Sequence, residues 1–113
     1  VQAWADPYDT EAAVEARARS WLAANCAHCH QPGGWQPPPM TMDLRFDRTL
    51  AETNTCGVPL QYTDLLVGGP YRIAPGAPGD SNLLRRAVHD GLGRMPPVAV
   101  SVPDARAMAL LEA

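Results

Sequence analysis

The sequence predicts a small all-α domain whose few helices are joined by long irregular loops. Apolar residues recur at helical spacing in three separate stretches, and no segment alternates apolar and polar residues over the length of a strand. Between those stretches, nine glycines and twelve prolines in 113 residues interrupt any regular ladder. The order is helix, long loops, helix, loop, helix, with about three to five helices in total. One domain, residues 1–113, is the natural count at this length.

The first helix is signalled by Asp6-Pro7, a cap residue followed by proline at the first helical position; Asp9 and Thr10 are alternative caps. Residues 1–9 then read as an N-terminal extension or linker. From Glu11 the alanine-rich run favours helix, with Val14, Ala18, Trp21 and Leu22 forming one apolar stripe. The loop 31–39, "QPGGWQPPP", holds three consecutive prolines that permit nothing helical. A short helix is expected over 48–53, "RTLAET". Residues 56–79 carry glycine or proline every few positions and read as an ordered, irregular loop. Asp80 or Ser81 caps a helix over "NLLRRAVHD", which "GLGRMPP" (91–97) ends in extended backbone. Ser101 and Asp104 have the spacing of a capping box opening a last helix through Ala113.

So short a chain buries a modest core with little margin of stability. Loops this rich in Gly and Pro need an organiser other than a helix or strand ladder, and a large apolar cofactor around which they wrap meets that need. Formal net charge is −3, and all nine basic residues are arginines. That balance offers no basic face for nucleic acid. No apolar run approaches the roughly 20 residues that cross a bilayer, and no signal-peptide pattern is present. A start at Val1 and an end in the helical "ALLEA" read as a mature protein or a domain of a longer one.

The chemistry concentrates in "CAHCH", Cys26 to His30. As a zinc site, Cys26 and Cys29 supply thiolates at zinc-finger spacing, with Cys56 and His89 to complete a tetrahedron; a second close pair is missing. As a thiol–disulfide site, Cys-x-x-Cys wants a βαβ frame, and no strand precedes it. A third reading uses every residue. Cys26, Cys29 and His30 stand at i, i+3 and i+4 and share one face of a helical turn. Two thiols there can add across the vinyl groups of a haem while the imidazole is carried beneath the ring to the iron. Cys-x-x-Cys-His is the attachment signature of c-type haem. His28, between the cysteines, points elsewhere and reads as a solvent-facing residue.

Four methionines, Met40, Met42, Met95 and Met108, are candidates for the opposite face of the iron. Met95 in "GRMPP" is favoured, because two prolines fix its backbone and a following helix anchors the far side. Met108, on the last helix, reads as core filler. Met40, Met42 and His89 remain alternatives, the last giving a bis-histidine iron of lower potential. Met/His ligation raises the potential and suits electron transfer.

With these pieces the chain resembles the class I c-type cytochromes. It has an N-terminal helix leading into "CAHCH", a methionine in "RMPP" and a C-terminal helix. The stretch "APGAPGDSNLLRR" followed by "GRMPP" is also similar to the cytochrome domains of bacterial periplasmic dehydrogenases and larger multidomain proteins. The resemblance implies a small cytochrome c fold in which the first and last helices cross, Trp21 and Leu22 meeting Leu110 and Leu111. It implies one covalent haem c on Cys26 and Cys29, with His30 and Met95 as axial ligands. It further implies one-electron transfer rather than catalysis, a periplasmic or otherwise exported location, and a redox partner protein or a fused dehydrogenase domain. An acidic surface suits a more basic partner. The rival is a peroxidase-like or gas-binding haem with a labile sixth ligand, served by Arg94 or His89.

Three details complete the reading. His30 is expected to donate its free ring N–H to a backbone carbonyl of the 31–39 loop. Arg45, Arg72, Trp35 and Tyr71 are the loop donors on offer to haem propionates. Cys56, left without a partner, reads as a buried small hydrophobe.

Overall fold

The computed structural model describes residues 3–37, 41–61, 67–98 and 102–113. Three α-helices carry the regular structure: α1, Val14–Cys26; α2, Asn82–Val88; and α3, Ala105–Glu112. A single 3₁₀ turn, Pro78–Asp80, leads into α2. No sheet forms among the described residues, so the chain is a small helical domain.

Helix α1 begins at Val14, three residues later than its alanine-rich run predicts. Asp6 and Asp9, both cap candidates, spend their carboxylates on local turns instead: Asp6 accepts from Tyr8 N (2.8 Å) and Asp9 from Glu11 N (2.9 Å). The expected apolar stripe is also displaced. Val14 is exposed, and the buried positions are Ser20, Leu22 and Ala23. The reason is that α1 is covered from two sides. Ala23 and Ala27 join Met42 and Leu44 in one cluster, with Cys26 and Phe46 packed on it. Trp21 packs on a second cluster of Leu84, Ala107 and Met108, together with Leu111. Met108 is core filler, and Leu22 and Leu110 are both buried.

The N-terminal residues 4–8 lie against this body. Ala5 N donates to the buried Ser20 hydroxyl (3.0 Å), Arg17 Nε donates to Pro7 O (3.0 Å), and Trp4 sits 5.6 Å from Phe46. The Tyr8 hydroxyl donates to Asp104, and the Arg106 guanidinium stacks 4.2 Å over the Tyr8 ring. Asp104 itself caps α3, accepting from Arg106 N and Ala107 N at 3.1 Å each. The cap therefore stands three residues after the one predicted. Ser101 lies outside the described residues.

The middle of the chain is irregular, as its glycines and prolines predict, yet it is closely stitched. Isolated bridges pair Cys56 with Ile73, Pro59 with Tyr71, and Tyr71 with Ser81. The expected helix over 48–53 is a run of turns, closed by Glu52 accepting from Thr49 N (2.7 Å) while Thr49 Oγ1 accepts from Glu52 N. Ser81 precedes α2 as predicted, but its hydroxyl accepts from Ala74 N (2.8 Å) rather than from the helix.

Candidate functional site

Helix α1 delivers the Cys-His cluster at its C-terminal end. The chain continues its helical path past Cys26: Cys29 N donates to Cys26 O at 3.2 Å and His30 N to the same oxygen at 2.9 Å. One turn thus holds Cys26, Cys29 and His30 at the i, i+3, i+4 positions the sequence predicts. His28 is exposed. Gly34 closes the turn, donating to Gln31 O at 2.9 Å. Its Cα lies so near Cys29 that a Cβ there would stand 2.2 Å from the Cys29 carbonyl oxygen.

Electrostatics divide the three side chains. Burial, with a smaller contribution from Cys29, pushes the Cys26 thiol up to about 11, so it stays protonated at neutral pH. Burial likewise draws the His30 imidazole below its ordinary value, so the ring is neutral. Its Nδ1 lies 3.2 Å from Gln36 Oε1. The Gln36 amide nitrogen donates to Gln31 O (3.2 Å) and Met42 O (2.8 Å), which fixes the amide's orientation. Its oxygen therefore faces the ring, His30 Nδ1 is the donor, and Nε2 keeps its lone pair for a metal or other acid. The partner lies in the predicted loop, but it is a side-chain amide and not a backbone carbonyl. Gln36 was not singled out by sequence; its position six residues after His30 is the sole signal.

Met95 is brought beside α1, near Trp21 and Asn25. It lines an open cleft of about 470 Å³ with Tyr8, Trp21, Asn25, Pro96 and Met108. Arg86 holds this loop twice: its carbonyl accepts from Met95 N (3.1 Å) and its Nη1 donates to Gly93 O (2.7 Å). Arg86 also donates to Asn82 Oδ1 at 2.9 Å, one helical turn back on α2. The charges of Arg86 and Arg72 both reach His30. Sequence reasoning missed Arg86, although an Asn and an Arg at i and i+4 on "NLLRR" are a legible pair.

The other candidates separate. Met42 is buried in the α1 cluster, and Met40 lies outside the described residues. The His89 ring rests over Gly91, where a Cβ would meet its Nε2 at 3.1 Å. Cys56 is exposed, against expectation. In extended backbone successive side chains alternate, and here the neighbouring Thr55 takes the inward position at 1 % exposure. Among the described residues no three His, Cys, Asp or Glu side chains gather as a metal site, so Cys56 and His89 do not complete a tetrahedron with the Cys26–Cys29 pair. No described helix is long and apolar enough to cross a membrane.

Site and fold together define a small helical domain with a neutral imidazole and two thiols on one turn. Comparison of the chain with protein-family models, with curated proteins and with solved structures returns no match.

Proposed function

We propose that the chain is an electron-transfer domain of the class I c-type cytochrome kind. It carries one haem c joined to Cys26 and Cys29, with His30 and Met95 as axial ligands. The observation that carries this reading is the single turn from Cys26 to His30, whose two hydrogen bonds to one carbonyl hold both thiols and the imidazole on the same face. The donor chemistry fits the group. A thiol held protonated is a poor exchange nucleophile or zinc ligand, whereas the neutral His30, with Nδ1 committed to Gln36, presents Nε2 as an iron ligand needs. A buried guanidinium near His30, Arg72, has a donor without an acceptor, which suits a cofactor bearing carboxylates. The contact of α1 with α3 through Trp21 and Leu111 agrees with a cytochrome c fold.

Bound there, the haem supplies a one-electron ferrous/ferric couple. The chain's own residues tune it. Gln36 orients the imidazole. Arg86, Pro96 and Pro97 hold the Met95 loop, and Ala27, Met42 and Leu44 keep water from one side. The partner is a redox protein or a fused dehydrogenase domain, and the location is periplasmic or otherwise exported, where such haems are attached. One observation favours the rival, a peroxidase-like or gas-binding haem: Met95 is 37 % exposed in an open cleft.

Optical spectra of the purified chain, oxidised and reduced, decide between these. Sharp c-type bands on reduction and a weak far-red sulfur-to-iron band on oxidation are expected. Met95→Ala should abolish the far-red band, lower the potential and admit small ligands. A wild-type haem spectrum without the far-red band favours the rival, and a colourless protein refutes both.

A further inference from the structure

The hydrogen bond that holds the His30 ring ends on a side chain. A backbone carbonyl, the acceptor expected from the 31–39 loop, is the same whatever residue carries it, whereas an amide side chain can be exchanged. Gln36 is half-buried. Its Oε1 accepts from His30 Nδ1 at 3.2 Å, and its Nε2 donates to Gln31 O at 3.2 Å and to Met42 O at 2.8 Å. Leu44 N donates to His30 O at 2.9 Å. The backbone of the histidine is therefore tied to the same 42–44 segment that holds the amide.

This arrangement works in one sense only. With the amide turned over, Nε2 would face the ring and Oε1 would face two carbonyl oxygens, so both backbone bonds would be lost and acceptors would oppose acceptors. The ring must donate, and the nitrogen that carries its proton follows from that bond. Arg72 and Arg86 act on the ring through charge and have no side-chain acceptor to offer. His28 is exposed.

We propose that Gln36 is a positioning residue that selects the Nδ1–H form of His30 and, resting on the electron-transfer reading above, sets how firmly Nε2 donates to ferric against ferrous iron. An acceptor at Nδ1–H makes the ring more basic at Nε2. The same bond strengthens when the ring shares the higher charge of ferric iron, as charge-assisted bonds do. Gln36 thus favours the ferric state. Because this lever is a side chain, the potential is adjustable at a position outside the residues that hold the haem.

The test compares haem-loaded wild type with Gln36→Met and Gln36→Glu at neutral pH. Gln36→Met preserves the length of the side chain and removes the acceptor and both donors. Gln36→Glu keeps an acceptor for the ring and removes the same two donors. Potentiometric titration followed optically reads the ferrous-to-ferric ratio at fixed electrode potential. In Gln36→Met the ratio should rise about fivefold, the factor for a bond of ordinary net strength that doubles when its donor is charged. In Gln36→Glu it should stay at or below the wild-type value, because a carboxylate is the stronger acceptor. A residue that merely tied the loop would shift both variants alike, since both lose the backbone bonds. A ratio that fails to rise in Gln36→Met, or that rises in both variants, overturns the proposal. Should Gln36→Met not fold, proton NMR of the ferrous wild type gives the answer: the His30 Nδ1–H should exchange slowly with water, and exchange as fast as a free imidazole overturns the proposal. A colourless wild type sinks the haem reading alone. Nitrogen-15 NMR of that chain at mildly alkaline pH, where the ring is neutral, should then find the His30 proton on Nδ1; a proton on Nε2 overturns the selection by Gln36 too.

Discussion

Gly33 and Gly34 are adjacent and chemically identical, yet the structure assigns them different costs of substitution. A Cβ on Gly34 would stand 2.2 Å from the Cys29 carbonyl oxygen, 2.9 Å from its carbon and 3.0 Å from Gln31 O. All three atoms are backbone, so no side chain can turn aside. The 29–34 turn must open by about 1 Å to reach ordinary contact, straining the bond from Gly34 N to Gln31 O. Overpacking of this kind costs about 1–3 kcal/mol, and rigid backbone places Gly34→Ala near the top of that range. In a domain of this size that lowers the melting temperature by about 10 °C. Gly33 has φ +76° and nothing within 4 Å of a Cβ. Gly33→Ala therefore meets only the left-handed strain of about 1 kcal/mol, and Gly33→Asn less, because asparagine tolerates that region. Thermal melts followed by circular dichroism compare the four proteins directly. The order expected is wild type, Gly33→Asn, Gly33→Ala, Gly34→Ala. Equal melting of Gly34→Ala and wild type would refute the close approach at Cys29, and a Gly33→Asn as unstable as Gly34→Ala would refute the separation of strain from overlap.

Two further expectations concern the thiols and the N-terminal contact. Brief alkylation of the native haem-free chain should modify Cys56 first, since it is exposed, with Cys26 slow because burial holds its thiol at about 11; peptide mass spectrometry showing equal rates would refute that placement. The Tyr8–Asp104 bond should stabilise only over a window of pH. Tyr8 chiefly holds the Asp104 carboxyl below its ordinary value, so this stabilisation is complete above the unfolded-state value near 4 and is lost as pH falls through the lower folded value. The same bond chiefly raises the Tyr8 phenol, so its share is complete below about 10 and lost as pH rises past the raised value. Melting of Tyr8→Phe should thus fall below wild type by a constant margin around neutrality that shrinks at both extremes; a margin independent of pH would count against the bond.

What the sequence made legible is what spacing alone decides. "CAHCH" puts three side chains on one turn whatever surrounds it, and the structure holds that turn. The all-α character, the irregular backbone of 56–61 and 67–77 and the place of α2 also follow from local punctuation by Gly, Pro and Ser. The misses share one physical cause, competition from partners distant in the chain. Asp104, read as lying inside the last helix, is its cap, and it also receives the hydroxyl of Tyr8, 96 residues away. Cys56 was read as buried, but its outward direction is set by the pairing of 55–57 with Ile73. Arg72 read as one loop cation among several; its burial comes from backbone bonds to Val58 and Leu83 that no local pattern announces. The stripe on α1 holds at Trp21 and Leu22 but not at Val14, and α1 is packed on two faces rather than one.

The Gln36 amide has a consequence for the imidazole it holds. Its nitrogen reads two carbonyls from separate pieces of chain, at Gln31 and Met42, so the ring is aimed by backbone on both sides of the 31–41 loop. The Gln36 oxygen restrains the His30 ring before anything approaches Nε2. On the electron-transfer reading, that leaves the ligand almost no slack to take up when charge arrives or departs, and the nuclear rearrangement that retards electron hopping stays small.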